Sequence, residues 1–304
     1  MDRVRVGIIG VGYLGMQHAR ILSYLEEAEL KGVVDVDFKK AMMIGNRHGV
    51  QYYQNYENML DEFDAAIVAT PTSEHFSISK KLLNEGKSVL VEKPITETVD
   101  QAEELVDISR KNGLILQVGH LERFNPAVEA IENMISEAKF IEVQRLGSFS
   151  ARSLDIDVVL DLMIHDLDII LALIKDEVKV IKSSGIHVLS EKIDIANARL
   201  EFKSGCVATL TASRVHQGKV RKLRVFEPTS YYSVDYIDQE VKIFPLNGRQ
   251  TDIKTLKIQK EEPLKKELKN FFKCIRERKS GKVSGEEGLR ALELAYKVLE
   301  EIEM

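Results

Sequence analysis

Three glycines near the start of the chain have the spacing of a phosphate-binding turn. Gly10, Gly12 and Gly15 follow a short apolar run and open a stretch with helical spacing. In a strand–turn–helix unit the first glycine permits a tight turn, the second lets a pyrophosphate approach the backbone, and the third lets the helix pack closely. The free N–H groups of a helix that begins with Tyr13 and Leu14 favour an anion. The spacing therefore predicts a dinucleotide site.

Asp35 lies 20 residues after Gly15, at the end of the second apolar run. In dinucleotide-binding units an acidic residue at this distance hydrogen-bonds the ribose 2′-hydroxyl. A carboxylate there repels a 2′-phosphate, so Asp35 favours NAD, and NADP is the less favoured cofactor. Two alternatives stay open: Asp37 has the same role, or Asp35 is a solvated residue at the end of a strand.

A charged pair, Glu92 and Lys93, follows the apolar run at Ser88–Val91. Ligands bind beyond the carboxyl ends of the strands in an open parallel sheet. Pro94 restricts Lys93 to an extended backbone, which allows the ammonium group to be aimed. The alternative is a solvated pair of opposite charges.

A third group lies in the second half of the chain, where Asp161 and His165 interrupt an apolar helical stretch. Four residues apart, they share a helix face and can pair, and Asp168 is near the same face. A carboxylate beside an imidazole orients the ring and stabilises its charged form, as a general base requires. Taken alone, the pair is more typical of a core histidine satisfied by a carboxylate.

The elements that must position these residues fall into two domains. In residues 1–120, short apolar runs alternate with stretches of helical spacing, which predicts an α/β domain with a doubly wound parallel sheet, a Rossmann fold. In residues 121–304, helices enclose strand-like runs with short joins, which predicts an α+β domain on a mostly antiparallel open sheet. Predicted helices of this second domain are Asn125–Glu137, Val158–Ile174, Leu264–Lys279 and Gly285–Glu301.

The composition excludes several classes of protein. Hydrophobic residues make up 44% of the 304 residues and charged residues 30%, as in a globular chain. A net charge of −5 gives no broad basic surface for nucleic acid. No run has the length of a membrane span or the form of a signal peptide. Because Cys206 and Cys274 cannot make a disulfide framework, we expect a reducing, cytoplasmic location.

Four motifs occur in order along essentially the whole chain: the glycine-rich turn, Thr70-Pro71, Glu92-Lys93-Pro94 and the pair of Asp161 with His165. Together they resemble the glucose–fructose oxidoreductase / inositol dehydrogenase / MocA (Gfo/Idh/MocA) family. The resemblance implies NAD(P)-dependent oxidation or reduction of a sugar or polyol hydroxyl. It implies catalytic roles for Lys93, Asp161 and His165. Residues 157–160 depart from the family, which often has glycines there, so the entry to this helix is open.

The stretch Gly119–Pro126 is similar to the UDP-N-acetylglucosamine 3-dehydrogenase subgroup, which oxidises the sugar 3-hydroxyl. Arg123 and Asn125 flank the predicted domain crossover, where contact with nicotinamide or substrate is possible. The alternative for Arg123 is a salt bridge that ties the two domains together.

The full set of predicted site residues combines these motifs. The catalytic residues are Lys93, His165 and Asp161. The cofactor-binding residues are Gly10, Gly12, Tyr13, Leu14, Gly15, Asp35, Thr70, Pro71, His75, Glu92 and Lys93. The substrate-binding residues are Lys93, His120, Arg123, Asn125, Arg152, Asp161 and His165, and no metal site is predicted.

The predicted function is NAD-dependent oxidation of a secondary hydroxyl of a sugar, with C3 of a UDP-N-acetylhexosamine as the finer expectation. Dehydrogenation of a free sugar or an inositol-like polyol is an alternative, as is a non-catalytic sensor of NAD or sugar. A sensor should have lost the acid–base residues, whereas Lys93, Asp161 and His165 are present. Neither nucleic acid nor a membrane is an expected partner. The resemblance implies a homodimer or homotetramer formed through the C-terminal sheet.

Overall fold

The computed structural model describes residues 3–149, 156–246 and 253–302. The chain forms two compact units, residues 1–120 with 264–289, and residues 121–263 with 290–304. The sequence analysis placed residues 264–289 in the second domain, whereas the structure groups them with the first. Packing explains the difference: a Cβ on Gly285 would lie 2.7 Å from the side chain of Leu116, and one on Gly288 would overlap Val118. This segment therefore fits directly against the last strand of the first unit.

Six parallel strands form the sheet of the first unit, in the order β3-β2-β1-β4-β5-β6. This is the doubly wound order of dinucleotide-binding domains, so the predicted Rossmann fold is confirmed. The strands end at one edge of the sheet, where ligands of such folds bind. They are β1 Val4–Ile9, β2 Ala28–Val34, β3 Gln51–Tyr53, β4 Ala65–Val68, β5 Ser88–Val91 and β6 Leu116–Val118.

The helices of the first unit have clear local end signals. Thr98 and Gln101 form a capping box at the start of α4, and Gly113 ends it in the left-handed conformation. The side chain of Asp37 caps α2, which ends at Gly49 in the same way. The helices are α1 Tyr13–Leu22, α2 Phe38–His48, α3 Thr72–Asn84 and α4 Val99–Asn112, with a 3₁₀ helix at Tyr56–Glu62. Two helices from the end of the chain also contribute to this unit: α7 Pro263–Glu277 and the first turn of α8 Gly285–Glu300.

Eight strands form the sheet of the second unit, in the order β14-β13-β12-β11-β7-β10-β9-β8. Among the described strands of this sheet, only β7 and β10 pair in parallel. The prediction of a mostly antiparallel sheet is therefore confirmed. The strands are β7 Phe140–Leu146, β8 Val178–Ile186, β9 Ile195–Phe202, β10 Val207–Ser213, β11 Val220–Phe226, β12 Ser230–Asp235, β13 Glu240–Pro245 and β14 Lys254–Thr255.

One face of this sheet is buried under helices and the other is open. In β9, Ala196, Ala198 and Leu200 are buried, whereas the alternate residues Asn197 and Arg199 are exposed. The alternation is that of a strand with one face against the core. The helices of this unit include α5 Pro126–Glu132, a π-helical turn Val159–Met163 and α6 Ile164–Leu173. Among the described residues, no helix is both long enough and apolar enough to cross a membrane.

Candidate active site

The glycine-rich turn joins β1 to α1 at the carboxyl edge of the parallel sheet. Gly10 has a φ of +89°, and a Cβ there would lie 2.5 Å from the carbonyl oxygen of Ala69. A Cβ on Gly15 would overlap the carbonyl oxygen of Gly10. An added Cβ on Gly12 meets nothing within 4 Å, and no side chain caps the N-terminus of α1. The turn therefore leaves room for a pyrophosphate in front of the first N–H groups of α1.

Asp35 follows β2 directly and is bonded to this turn. Its Oδ2 accepts the N–H of Val11 at 2.9 Å, and its Oδ1 accepts the N–H of Asp37 at 2.9 Å. The carboxylate of Asp37 is used differently, because it caps α2 by accepting the N–H groups of Lys39 and Lys40. Of the two predicted candidates, Asp35 is therefore the one held beside the phosphate-binding turn.

His75 holds the loops that follow β4 and β5. It is buried on α3, with Nδ1 2.8 Å from the carbonyl oxygen of Pro94 and Nε2 3.0 Å from that of Thr70. Burial lowers the pKa of His75, so the neutral ring donates to one of these two oxygens at a time. Its position fixes the segment containing Lys93 against the one containing Thr70 and Pro71. The structure thus gives His75 a positioning role at the edge of the sheet.

Glu92 has a buried partner that the sequence analysis missed. The Nε2 of His18 lies 2.7 Å from the Oε1 of Glu92, and the two side chains are 0% and 9% exposed. This contact joins α1 to the residue before Lys93. The available signal was spacing, since His18 stands three residues after Gly15 and shares its helix face.

Glu267 on α7 brings a second carboxyl group to the interior of the first unit. It is fully buried, and neither of its carboxyl oxygens has a hydrogen-bond partner among the described residues. Burial, and then the charge of Glu92, raise the pKa of Glu267 well above its ordinary value. The group therefore keeps its proton in the folded protein at pH values where it loses it in the unfolded chain.

We expect this buried carboxyl to make folding stability depend on pH. Because the folded state binds the proton more tightly, its contribution is greatest below the unfolded pKa of about 4.3 and is lost as the pH rises. One such group changes the free energy of unfolding by at most about 1.4 kcal/mol per pH unit. In urea unfolding between pH 5 and 8, Glu267→Gln should become progressively more stable than the unmodified protein. The exposed control Glu26→Gln should not. Parallel pH profiles for Glu267→Gln and the unmodified protein would contradict the expectation.

In the second unit, Asp161 lies in the π-helical turn and His165 is the second residue of α6. The N–H of Ile164 bonds to the carbonyl oxygen of Val159, five residues earlier, which defines the π turn. The sequence predicted one uninterrupted helix over this stretch. Single π turns within helices occur frequently at functional sites. Four residues are close to one turn of either helix type, so Asp161 and His165 lie on one side, and both are half-buried.

The entry to this helix is fixed by hydrogen bonds. Asp157 accepts the N–H of Ile193 at 2.9 Å through its Oδ1. The Nη2 of Arg214 donates to the carbonyl oxygens of Ile156 at 2.7 Å and Ile193 at 3.0 Å, and its Nε lies 3.1 Å from the Oδ1 of Asp194. Buried polar contacts therefore set the position of the helix start in a segment that departs from the family pattern.

Asn125 and Arg123 make buried contacts within the second unit. Asn125 caps α5, and its amide nitrogen donates to the Oε2 of Glu122 at 3.1 Å and to the carbonyl oxygen of Tyr236 at 2.9 Å. The Nη1 of Arg123 donates to the Oδ1 of Asp168 at 3.2 Å, and both side chains are at most 5% exposed. Asp168 belongs to the same unit as Arg123. These contacts give both residues positioning roles.

A buried charge network joins α6 to β7 through Asp166 and Arg145. The Nε and Nη2 of Arg145 donate to the two carboxylate oxygens of Asp166 at 2.7 and 2.9 Å, and its Nη1 donates to Glu122 at 3.2 Å. Arg221 donates to the same Glu122 oxygen at 2.8 Å. Burial opposes charge on Glu122, but the guanidinium groups of Arg145 and Arg221 outweigh it and hold the pKa of Glu122 below its ordinary value. Burial raises the pKa of Asp166, and the two hydrogen bonds from Arg145 oppose that shift. Each charged group of the network has a partner of opposite charge.

Two further residues, His120 and Arg152, were predicted to bind substrate. His120 is buried at the end of the first unit, and Arg152 lies outside the described residues. Within residues 3–149, 156–246 and 253–302, no three His, Cys, Asp or Glu side chains form a group that could hold a metal ion.

A doubly wound 3-2-1-4-5-6 sheet with a glycine-rich turn, an aspartate after its second strand and a lysine at its carboxyl edge is typical of nicotinamide-dependent oxidoreductases. Residues 4–120 match the model described as "Oxidoreductase family, NAD-binding Rossmann fold" of Gfo/Idh/MocA, and residues 141–227 match the C-terminal domain of the same family. The chain belongs to the Gfo/Idh/MocA oxidoreductase family. The predicted family, enzyme class and nicotinamide cofactor are therefore confirmed.

Individual relatives cover the whole chain. It is 32% identical to UDP-N-acetylglucosamine 3-dehydrogenase of Acidithiobacillus ferrooxidans, over 98% of this chain and 97% of that protein. A solved structure of that dehydrogenase superposes with a TM-score of 0.94 and covers 100% of this chain and 99% of that one. Myo-inositol 2-dehydrogenase of Thermotoga maritima is 24% identical, over 99% of this chain and 96% of that protein.

The residues at the sheet edge fit NAD. Gly12 leaves space where a pyrophosphate would approach, and Asp35 is held beside the turn, where its carboxylate would accept a ribose hydroxyl. The hydroxyl of Thr70, at the end of β4, is buried and has no partner among the described residues. Such a hydroxyl is available to a bound ligand, because buried polar groups are otherwise hydrogen-bonded.

Proposed function

We propose that this enzyme oxidises the 3-hydroxyl of a UDP-N-acetylhexosamine with NAD as the electron acceptor. The observation that carries the proposal is 32% identity over 98% of the chain to a UDP-N-acetylglucosamine 3-dehydrogenase, with a TM-score of 0.94. The presence of Lys93, Asp161 and His165 supports turnover over mere binding.

In this proposal three side chains serve the same hydroxyl. His165 accepts its proton, since an imidazole exchanges protons near neutral pH. Asp161, on the same side of the helix, orients the ring. The ammonium group of Lys93 stabilises the negative charge that develops on the oxygen. The glycine-rich turn and Asp35 would hold NAD, which would supply the acceptor for the hydride.

The test is direct. The protein is mixed with NAD and UDP-N-acetylglucosamine, UDP-N-acetylgalactosamine, N-acetylglucosamine or myo-inositol, and the absorbance of reduced nicotinamide is followed with hydroxylamine present to trap a ketone. We expect turnover with a UDP-N-acetylhexosamine. Reduction of untrapped product with borodeuteride should place deuterium at C3. Activity restricted to N-acetylglucosamine or myo-inositol would replace the proposal by the free sugar or polyol alternative.

Cofactor preference provides a separate prediction. The carboxylate of Asp35 should bond the adenine ribose and repel a 2′-phosphate, so the unmodified protein should bind NAD more tightly than NADP. Asp35→Ala should weaken NAD binding and affect NADP less. Asp37→Asn, which changes the residue that caps α2, is the matched control and should keep the preference. Fluorescence titration of the three proteins with both reduced cofactors measures the six affinities, and tighter binding of NADP by the unmodified protein would contradict the prediction.

The open face of the second-unit sheet supports an oligomer as a further part of the proposal. Phe140, Phe226, Tyr231 and Phe244 face one another on four adjacent strands, with ring centroids 6.0, 5.0 and 4.1 Å apart. An aromatic row on a sheet face is typical of a surface that is buried by association. In the strand segments Val207–Leu210 and Tyr231–Val234, only alternate residues lie on this face.

We expect light scattering at micromolar concentration to give the mass of a dimer or tetramer. Tyr231→Glu should lower that mass, because it puts a charge in the centre of the aromatic row. Tyr24→Glu, at an exposed aromatic residue of the first unit, is the control and should not. A monomeric mass for the unmodified protein would rule out this assembly.

A reducing, cytoplasmic location is the last part of the proposal. Its support is that Cys206 and Cys274 are both buried and free, as is typical of proteins that do not depend on disulfides.

A further inference from the structure

The start of β11 brings positive charge to the buried face of the second-unit sheet. Arg221 is on the same side of the strand as the buried Leu223. It stands opposite Arg145 in the register of β11 with β7, and its Nη1 donates to Glu122 at 2.8 Å. The Arg221 side chain remains 31% exposed. The Arg221 side chain is therefore the accessible member of a network whose other members, Arg145, Glu122 and Asp166, are at most 8% exposed.

Lys219, two residues earlier, adds a second cation to the same group. The charge of Arg221, and then burial, lower the pKa of Lys219, and Glu122 is the nearby carboxylate that opposes this. Within the described part of the chain, the Lys219 ammonium group forms neither an ion pair nor a hydrogen bond. Because like charges repel, an anion bound beside both cations would relieve this repulsion.

The charges of the network leave one cation in excess. Arg145 and Asp166 form a two-pronged pair, and Arg221 shares Glu122 with Arg145. Three cations, with Lys219 included, thus face two carboxylates, and the uncompensated one is the exposed Lys219. A guanidinium beside an ammonium group is a combination that recognises phosphate oxygens.

The same contacts connect this pair of cations to the catalytic helix. Asp166, which holds Arg145 in place, is the residue after His165. The hydrogen bonds from Arg221 through Glu122 and Arg145 to Asp166 are continuous, and those made by Arg145 are buried. An anion bound at Lys219 and Arg221 would therefore be held by the same rigid network that positions the start of α6.

We propose that Lys219 and Arg221 bind the diphosphate group of a sugar-nucleotide substrate. The inference rests on the proposed function, because a free sugar or polyol has no such group. The pyrophosphate of NAD is a separate ligand, recognised by the glycine-rich turn of the first unit. Lys219 and Arg221 would thus make the enzyme prefer a nucleotide sugar to the free sugar of the same configuration.

Calorimetric titration with UDP and with uridine tests the site without requiring turnover. We expect Lys219→Gln to weaken UDP binding at least tenfold, because a charge-assisted contact is lost, and to leave uridine and NAD binding unchanged. Lys219→Arg keeps the charge and should restore most of the affinity. Lys179→Gln is the matched control, since this exposed lysine lies on the edge strand β8 and makes no contact with a described partner. Added salt should weaken UDP binding more than uridine binding.

The outcomes separate this inference from the proposed function. If the unmodified enzyme oxidises a UDP-sugar and Lys219→Gln leaves its KM and the UDP affinity unchanged, the subsite is wrong and the function stands. If UDP binds in a Lys219-dependent way but no UDP-sugar is oxidised, the subsite stands and the proposed substrate is wrong. If the unmodified protein binds no UDP, both fail together.

Discussion

Replacement of His165 by alanine is expected to lower the rate of sugar oxidation by about 10²- to 10⁴-fold, the range for loss of a general base. The dissociation constant of NAD should change little, because the glycine-rich turn and Asp35 belong to the first unit and His165 to the second. Steady-state kinetics and a cofactor titration measure the two effects. His187→Ala, at an exposed histidine of the same unit, is the matched control and should keep full activity.

Two further variants make the test of His165 specific. Lys93→Met removes the cation beside the reacting oxygen, so it too should cripple turnover while NAD still binds. Asp161→Asn should reduce the rate and flatten its dependence on pH, because the ring is no longer oriented by a charge. If His165→Ala keeps near-full activity, or if it unfolds the second unit, the histidine is a core residue and the catalytic assignment is wrong.

Replacement of Arg145 by methionine is expected to destabilise the second unit by about 3–5 kcal/mol, the usual cost of leaving a buried charge without its partner. Arg145 and Asp166 are each about 2% exposed, so water cannot replace the lost donors. Burial opposes charge on Arg145, but Asp166 and Glu122 hold the pKa of its guanidinium above the ordinary value. Because methionine keeps much of the side-chain volume, the loss of stability in Arg145→Met comes mainly from the carboxylates that are left without a partner.

Chemical denaturation followed by far-ultraviolet circular dichroism measures this loss. Arg5→Met is the matched control, because Arg5 also holds a carboxylate with two hydrogen bonds, to Asp64, but both side chains are about half exposed. Its effect should be far smaller, since solvent screens an exposed pair. The double variant Arg145→Met/Asp166→Asn should recover part of the stability. Equal effects of Arg145→Met and Arg5→Met would show that burial of the network contributes nothing.

Local pattern predicted most of the first unit and failed where elements are short. The apolar run at Ser88–Val91 coincides with a strand, because all four of its residues are buried in the sheet. The strand Gln51–Tyr53 was missed, since it has three residues at the sheet edge and none is fully buried. The helix Phe38–His48 was missed as well, although Asp37 and Gly49 mark its two ends.

The second unit shows a different limit. Its strands follow the alternation of apolar and polar residues, so their presence and their mostly antiparallel pairing were predictable. The parallel pairing of β7 with β10 was not predictable, because the π turn, α6, β8 and β9 lie between these two strands along the chain. The helix predicted at Asn125–Glu137 is shorter, Pro126–Glu132, and Asn133 ends it.

The sequence by itself determined the two fold classes, the phosphate-binding turn and the positions of Lys93, Asp161 and His165, because periodicity and short spacings are local properties of a chain. Only the tertiary structure decided that His18 pairs with Glu92, that Glu267 lies buried without a partner, and that residues 264–289 belong to the first unit. It also decided the surroundings of Lys219. These contacts join residues distant in sequence, and their burial and charge depend on which groups the fold brings together, for which a single sequence has no local signal.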